Sequence, residues 1–207
     1  MQNIDINSVV QIHLHAFENF FLSFLGPAFL RELYIATLCD PSGIAFVYKQ
    51  ESRILGFVSG TAEPEGFYKR LLRVRWFRFG MAALVPVIRQ PKIIPRLLRA
   101  LQFPQANDSL EQTGTLMSVA VLPEARRKGV GKKLVLSFLE EASLRNLDFV
   151  NLTTDKINND VVNIFYRSLG FSIDRSFETP QGRLMNEYMI QLDMIRADSR
   201  DKYYFPI

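Results

Sequence analysis

Apolar residues in the first third of the chain follow two different spacings. After Asp5, a residue suited to cap a helix, apolar side chains over 9–20 recur at helical spacing, and a second such pattern covers 27–38. Over 44–49 and 53–61 the apolar residues form two short runs separated by a polar turn, which is typical of a β-hairpin. The predicted order is therefore helix, helix, hairpin.

The second half of the chain alternates strands and helices. The predicted elements are a strand at 116–122, a helix that starts at Val130 and stops near Asn146, a strand at 149–154, a helix opened by Asn158, and strands at 171–177 and 184–192. The first of these helices carries one apolar stripe, formed by Val130, Leu134, Val135, Phe138, Leu139 and Ala142. Strands interleaved with amphipathic helices predict an α/β (α+β) domain in which helices pack on a sheet.

Between these halves lies a segment, 66–105, that contains no Asp or Glu. Aromatic and aliphatic residues are interspersed there with the cations Lys69, Arg70, Arg73, Arg75, Arg78, Arg89, Lys92, Arg96 and Arg99. We expect two or three short helices, interrupted near Gly80, Pro86, Pro91 and Pro95. Helices that pack one side on the sheet would explain this pattern, and so would a site for an anionic ligand or contact with an anionic membrane surface.

The composition is that of an ordinary globular chain. Of its 207 residues, 48% are hydrophobic and 22% are charged, with a net charge of +4. We predict one domain over 1–195 and a tail, 196–207, whose aromatic end suits docking on the domain itself or on the second subunit of a homodimer. The sequence shows no signal-peptide pattern and no apolar run of membrane-spanning length, so a cytoplasmic location is expected.

Few residues suit metal or nucleophilic chemistry. Cys39 is the only cysteine, which fits a reducing compartment, and we interpret it as a small buried hydrophobic residue. His13 and His15 lie two positions apart on a helix, so they do not share a face, and no metal-site spacing occurs. We therefore expect no metal, and no nucleic-acid partner because no recognition motif is present.

The most informative feature is a basic loop between the strand at 116–122 and the helix that follows. Gly129 and Gly131 allow close approach of the backbone, and the first N–H groups of the helix lack carbonyl partners. Together with several lysines and arginines, this predicts a phosphate or pyrophosphate site. The P-loop pattern fails because Lys133 stands where Ser or Thr is needed, and the pattern Gly-x-Gly-x-x-Gly fails because position 134 is Leu.

Two motifs in this half resemble those of the GNAT superfamily of N-acetyltransferases. Arg126-x-x-Gly129-x-Gly131 is similar to the family's pyrophosphate loop, (Gln/Arg)-x-x-Gly-x-(Gly/Ala). Farther along, the family's second pattern is matched by Asn159, Phe165, Tyr166, Gly170 and Phe171, with Val162 in place of the usual Ala. The close resemblance covers residues 113–192.

The resemblance implies the GNAT fold, a mixed, mostly antiparallel twisted sheet flanked by helices. In this fold, 66–105 is a helical basic insertion between the third and fourth strands. One departure is plain, because the family normally opens with a strand before its first helix and only a few residues precede Asp5 here. That strand is short, absent or lost to a wrongly assigned start.

The resemblance also implies acetyl-CoA as co-substrate. A bulge in the strand at 116–122 and its divergence from 150–154 would open a cleft for the pantetheine arm, which would pair with the main chain of Val119 and Val121. A freed N–H near Val119 would polarise the thioester carbonyl. The predicted co-substrate residues are Val119, Ala120, Val121, Arg126, Arg127, Lys128, Gly129, Val130, Gly131, Lys132 and Asn159, the last through coenzyme A contact or helix capping.

Tyr166 is the predicted catalytic residue, because a neutral phenol can donate a proton to a departing thiolate. Its helix is expected to turn Phe165 and Leu169 toward the core, with Tyr166 at the edge of that stripe. The general base is not identified, and the candidates are Glu63, Glu65, Glu178 and Glu187, or a water relay. Because no convincing nucleophile is present, direct transfer in a ternary complex is expected.

The expected acceptor is the primary amine of a small molecule, and the acid-free segment favours a nucleotide-linked amino sugar. The alternatives are a protein or peptide N-acetyltransferase and a non-catalytic module that binds acyl-CoA. A Tyr166 side chain turned into the core, or a cleft filled by the 66–105 segment, would favour the non-catalytic module.

Overall fold

A computed structural model describes residues 1–18, 20–89, 112–180 and 182–192. After a 3-10 turn at Asn3–Asp5, the elements are α1 (Ile6–Ala16), α2 (Phe21–Phe24), α3 (Gly26–Cys39), β1 (Gly43–Gln50), β2 (Arg53–Thr61), α4 (Phe67–Arg89), β3 (Thr113–Val121), α5 (Val130–Leu144), β4 (Phe149–Asp155), α6 (Asp160–Ser168), β5 (Ser172–Glu178) and β6 (Leu184–Gln191). This order confirms the predicted helix, helix, hairpin start and the alternation that follows.

The six strands form one sheet in the order β1-β2-β3-β4-β6-β5. Only β3 and β4 are parallel, and every other neighbouring pair is antiparallel. One face carries α5 and α6, and the other face carries α1, α3 and α4 over β1 to β3. The predicted mixed, mostly antiparallel sheet between helices is thus confirmed.

The stripe predicted on α5 is buried at every position: Val130, Leu134, Val135, Phe138, Leu139 and Ala142 are each between 0% and 3% exposed. These side chains pack on Val58, Leu116 and Val150 of the sheet. Because α5 is fixed along its whole length, its N-terminus is held in one position at the end of β3. That end of the sheet is where the basic loop lies.

At the start of the chain, one of the alternatives left open is confirmed and one prediction is wrong. In the described part of the chain no strand precedes α1, and the Met1 amino group donates to the Ala45 carbonyl across 3.2 Å. Asp5 does not cap α1 with its side chain. Its carboxylate instead accepts from the Gln2 N–H at 2.8 Å and pairs with Lys49 at 2.7 Å, because the 3-10 turn already fills the helix start.

The basic segment was expected to break near Gly80 and Pro86, but α4 passes through both positions. At Arg75, with a φ of −125°, two helical stretches meet at a kink, so the interruption lies there and not at Gly80 or Pro86. Phe67, Leu71, Phe79 and Ala83 are buried along one side of α4, so packing holds the helix together against the low helix propensity of glycine and proline. Pro91, Pro95 and the tail 196–207 lie outside the described residues.

Two further expectations are decided by this architecture. Cys39 is exposed at the end of α3, so its interpretation as a buried hydrophobic residue was wrong. Within the described ranges, no helix combines the length and apolarity needed to cross a membrane.

Candidate functional site

The loop between β3 and α5 departs from regular backbone at two residues. Arg127 has a φ of +60° and Gly129 a φ of +76°, and Gly129 is the residue that immediately precedes α5. A Cβ added at Gly129 would meet nothing within 4 Å, so this position opens to solvent. Just before the loop, Ala125 is 1% exposed and anchors it in the core.

The backbone N–H groups from Arg127 to Lys132 form the floor of this loop. The first bond of the helix runs from the Lys133 N–H to the Gly129 carbonyl, at 3.0 Å. Among the described residues, none accepts a hydrogen bond from the N–H groups of 127–132. The N–H groups of the first turn of α5 point out of the helix at the positive end of its dipole, which is the arrangement that binds anions.

The side chains around these donors are cationic and exposed. They are Arg126, Arg127, Lys128, Lys132 and Lys133. The Lys133 ammonium also lies 5.4 Å from the centre of the Tyr48 ring, which fixes its direction beside the loop. An anion held by the main chain would therefore meet additional positive charge from these side chains.

The strand that leads into the loop separates from its parallel neighbour. β3 and β4 pair only from Thr113↔Phe149 to Thr115↔Asn151, and no further pairs continue toward Val121. Against β2, the register shifts between Ser59↔Ser118 and Gly60↔Leu116, which leaves Met117 as a bulge. The predicted bulge and the predicted divergence of the two strands are both confirmed.

This divergence leaves main-chain groups of β3 facing a cleft. The Leu122 N–H donates to the Leu55 carbonyl of β2 at 2.9 Å, so the alternate residue Ala120 also faces β2. Val119 and Val121 therefore direct their N–H and C=O groups toward the side from which β4 has separated. Ala120 has the opposite orientation, and its side chain is buried in the α1–α3–α4 core.

Tyr166 lies on α6 at the buried side of the helix. It is 8% exposed, and its ring packs against Phe171 and Tyr188 at centroid distances of 5.7 and 6.1 Å. Burial raises the pKa of Tyr166 to about 12, so the hydroxyl keeps its proton at neutral pH. No residue in the described ranges forms a hydrogen bond with this hydroxyl.

The orientation of α6 differs from the expected one. Phe165 was placed in the core with Tyr166 at the edge, but Tyr166 is buried and Phe165 is only partly buried. A Cβ added at Gly131 would lie 3.4 Å from the Phe165 ring, so Phe165 borders the start of α5. The α6 helix thus contacts the basic loop through Phe165 and the core through Tyr166.

Asn159 connects the end of β4 to the start of α6. Its amide Nδ2 donates to the Thr154 hydroxyl at 2.8 Å and to the Asp155 carbonyl at 3.1 Å. The side chain does not cap the helix, so the capping role considered for it was wrong. The Oδ1 atom accepts no hydrogen bond from any described residue.

Asn163 was missed in the sequence and is the most connected side chain near Tyr166. It is 6% exposed; its Nδ2 donates to the Asp155 and Asn159 carbonyls, at 3.0 and 2.9 Å. Its Oδ1 accepts from the Tyr188 hydroxyl at 2.9 Å and from Asn186 at 3.2 Å. In the sequence, the signal that could have identified Asn163 is its place one turn before Tyr166, on the same helix face.

A row of polar side chains crosses four strands at the point where β3 and β4 separate. The Thr115 hydroxyl donates to Asn151 at 2.6 Å, Asn151 donates to Glu187 at 3.2 Å, and Arg175 donates to the other Glu187 oxygen at 2.6 Å. Glu187 is 6% exposed. By contrast, Glu63, Glu65 and Glu178 are exposed. Among the four candidate bases, Glu187 is therefore the only buried one.

The two histidines have different environments, as their spacing predicted. His15 is exposed, whereas His13 is 2% exposed and its Nδ1 lies 2.6 Å from the Tyr34 hydroxyl. Tyr34 in turn contacts Ser118 and Ser59, which flank the bulge of β3. Burial lowers the pKa of His13 to about 4, so this cluster is uncharged at neutral pH.

Comparison with solved structures finds the same architecture in several acetyltransferases. A ribosomal-protein-alanine N-acetyltransferase from Brucella melitensis aligns with a TM-score of 0.61 and 14% identity, over 92% of this chain and 96% of that one. Ard1 from Thermoplasma volcanium gives 0.58 and 16%, over 92% and 93%. An aminoglycoside 6'-acetyltransferase type Ii gives 0.59 and 14%, over 93% and 94%. At such identities the likeness establishes the fold.

A search of curated protein sequences finds no match. The family model for the acetyltransferase (GNAT) family, in contrast, matches residues 7–171, which include both the basic loop and α6. The match covers most of the chain and agrees with the loop, the divergent strands and the fold. The chain therefore belongs to the GNAT family of acetyltransferases, enzymes that use acetyl-CoA as co-substrate.

Proposed function

We propose that this enzyme transfers the acetyl group of acetyl-CoA directly to a primary amine, with the donor held between the basic loop and the gap beside β3. The observation that carries the proposal is the set of unpaired N–H groups at 127–132, placed at the end of a strand that has separated from its neighbour. A pyrophosphate needs such donors, and a pantetheine arm needs free main-chain groups like those of Val119 and Val121.

The residues present fit a coenzyme A donor. The open space at Gly129 admits an anion close to the main chain, and the exposed cations from Arg126 to Lys132 provide charge for its phosphates. Val130 and Gly131 contribute only their N–H groups. The Oδ1 atom of Asn159, which accepts no hydrogen bond from a described residue, can accept one from coenzyme A at the other side of the gap. Ala120 faces away, so we assign it a supporting position in β3.

Tyr166 is the proposed proton donor to the departing thiolate. Its inward orientation was expected to favour a non-catalytic module, but the family match to acetyltransferases supports catalysis. Bound acetyl-CoA supplies the acetyl thioester, and the chain must supply a proton for sulfur. A phenol whose pKa is about 12 remains protonated and can donate a hydrogen bond throughout the physiological pH range. Asn163 positions α6 by its four hydrogen bonds to β4, β6 and Asn159.

Glu187 is the proposed carboxylate for the acceptor amine. An ammonium group must lose a proton before it can attack, and a buried carboxylate attracts the cation and can receive that proton through water. Glu187 lies two hydrogen bonds from Thr115, the last residue of β3 that pairs with β4. Arg175 holds the carboxylate in place from the opposite side.

For the acceptor itself, a nucleotide-linked amino sugar remains our proposal. Its support is the absence of acids over 66–105. The structural neighbours named for a ribosomal protein and for an aminoglycoside share only the fold, so both chemistries belong in the same test.

The experiment is isothermal titration with acetyl-CoA, its dephospho analogue and desulfo-coenzyme A, followed by thiol-release assays on three amine classes. These classes are nucleotide-linked amino sugars, aminoglycosides and peptides with a free N-terminus. We expect micromolar acetyl-CoA binding that weakens when a phosphate is removed, and turnover with the amino sugars. Absence of binding at millimolar acetyl-CoA would overturn the loop assignment, and turnover confined to peptides would overturn the acceptor.

A further inference from the structure

Helix α4 has apolar residues on two opposite sides. The inner side is occupied by packing, because Phe67, Leu71, Phe79 and Ala83 are each 9% exposed or less. Phe79 packs against Phe29 of α3 with tilted rings, at a centroid distance of 5.1 Å. One buried side is sufficient to hold a surface helix on its domain, so the apolar residues of the other side need a different explanation.

The outer side carries a regular apolar stripe. Phe77, Met81, Leu84 and Ile88 follow one another at spacings of four, three and four residues, and they are 63%, 58%, 50% and 71% exposed. Trp76 is 71% exposed and contacts Phe77 edge to face, with 5.9 Å between ring centroids. A contiguous exposed apolar surface of this kind marks an interaction site.

The charge beside this stripe is positive. No Asp or Glu occurs from 66 to 89. Within the described ranges, the acids that form ion pairs with α4 are Glu32, Asp40 and Glu63, which pair with Arg70, Arg75 and Arg78. Lys69 and Arg73 are exposed and have no ion pair in the same ranges. The outer side of α4 thus combines aromatic, aliphatic and cationic groups.

We propose that the outer side of α4 docks on an anionic phospholipid membrane surface, with the apolar stripe at the acyl boundary and the cations at the head groups. Tryptophan beside aliphatic residues and lysine or arginine is the composition of helices that lie in this interface. A second copy of the chain fits less well, because pairing two such sides would bring like charges together. A nucleic acid offers phosphates but no partner for the stripe. This docking is independent of the proposed acetyl transfer.

The test is flotation of the full chain with vesicles of phosphatidylcholine alone or with a third of phosphatidylglycerol. We expect binding to the anionic vesicles that is at least tenfold weaker on neutral vesicles and is reduced by high salt. The double variant Trp76→Ser/Phe77→Ser should lose at least tenfold in partitioning. The matched control is Leu144→Ser, which removes an apolar side chain of similar exposure, 74%, from the end of α5.

Acetyl-CoA titration and thermal unfolding of each variant show whether its fold is intact. Equal flotation with neutral and anionic vesicles, or equal loss in the double variant and in Leu144→Ser, would overturn the proposal. So would sedimentation velocity that shows a dimer of the parent chain which the Trp76→Ser/Phe77→Ser variant converts to a monomer. In that case, the stripe is the contact between two copies.

Discussion

Two regions of this protein concentrate lysine and arginine, yet their neighbouring groups differ. In the loop at 126–133, the cations surround unpaired main-chain N–H groups, and the adjacent apolar residues of α5 are buried. On α4, the cations flank exposed aromatic and aliphatic side chains. The first arrangement suits a compact phosphate group, and the second suits an extended anionic surface. Positive charge therefore identifies a partner only together with the groups beside it.

The largest expected effect comes from a substitution in the basic loop, which should abolish acetyl-CoA binding. Gly129→Glu places a carboxylate beside the proposed pyrophosphate and forces a side chain into a φ of +76°, so acetyl-CoA binding should disappear in calorimetry. Gly26→Glu is the matched control, because Gly26 has a φ of +79° and equally open space but is the first residue of α3. Micromolar binding by Gly129→Glu would show that the loop does not hold the donor.

The second effect separates donor binding from chemistry. Tyr166→Phe removes the hydroxyl proton while keeping the ring that packs on Phe171, so turnover should fall about 10²- to 10⁴-fold with acetyl-CoA affinity unchanged. The parent and Phe165→Leu, whose partly buried ring borders the loop, provide the comparison in steady-state assays. An undiminished kcat in Tyr166→Phe would exclude this tyrosine as the proton donor.

The third prediction removes two cations from each basic region in turn and compares the effects on the two binding reactions. Lys69→Gln/Arg73→Gln should weaken binding to anionic vesicles about 25-fold, on the basis of about 1 kcal/mol for each cation near such a surface. Lys132→Gln/Lys133→Gln should instead weaken acetyl-CoA binding about two- to thirtyfold, since each exposed ion pair contributes about 0.2 to 1 kcal/mol. Flotation and calorimetry on both variants measure this. If each double variant weakened vesicle binding and acetyl-CoA binding equally, the two basic regions would not have distinct partners.

The smallest effect concerns His13, which is buried against Tyr34 of α3 and Phe57 of β2. Burial lowers the pKa of His13 to about 4, against about 6.5 in an unfolded chain. Between pH 6.5 and 4 the unfolded chain therefore binds a proton at this histidine that the folded chain does not bind. The free energy of unfolding is thus highest above pH 6.5 and falls as the pH drops toward 4. We expect the free energy of unfolding in urea to drop by about 1.4 kcal/mol from pH 7.5 to 5.5. His13→Gln should remove most of that drop, and the exposed His15→Gln should retain it; an unchanged drop in His13→Gln contradicts this.

Local patterns predicted the elements that depend on local spacing. The stripe from Val130 to Ala142 is fully buried, and the glycine loop lies between a strand and a helix as expected. The prediction failed at Gly80 and Pro86, where packing of Phe79 and Ala83 on the α3 side outweighs the breaking tendency of these residues. It also failed for Asp5 and Cys39, because the partners and the exposure of one side chain depend on distant parts of the chain.

The sequence by itself determined the family resemblance, the order of strands and helices and the glycine-containing basic loop, because each depends on residues close together in the chain. Only the tertiary structure decided that Glu187, rather than Glu63, Glu65 or Glu178, lies buried beside Asn151 at the separation of β3 and β4. It also decided that α6 turns Tyr166 inward and that α4 leaves Phe77 and Ile88 exposed. These features arise from contacts between strands and helices far apart in sequence, which no local spacing encodes.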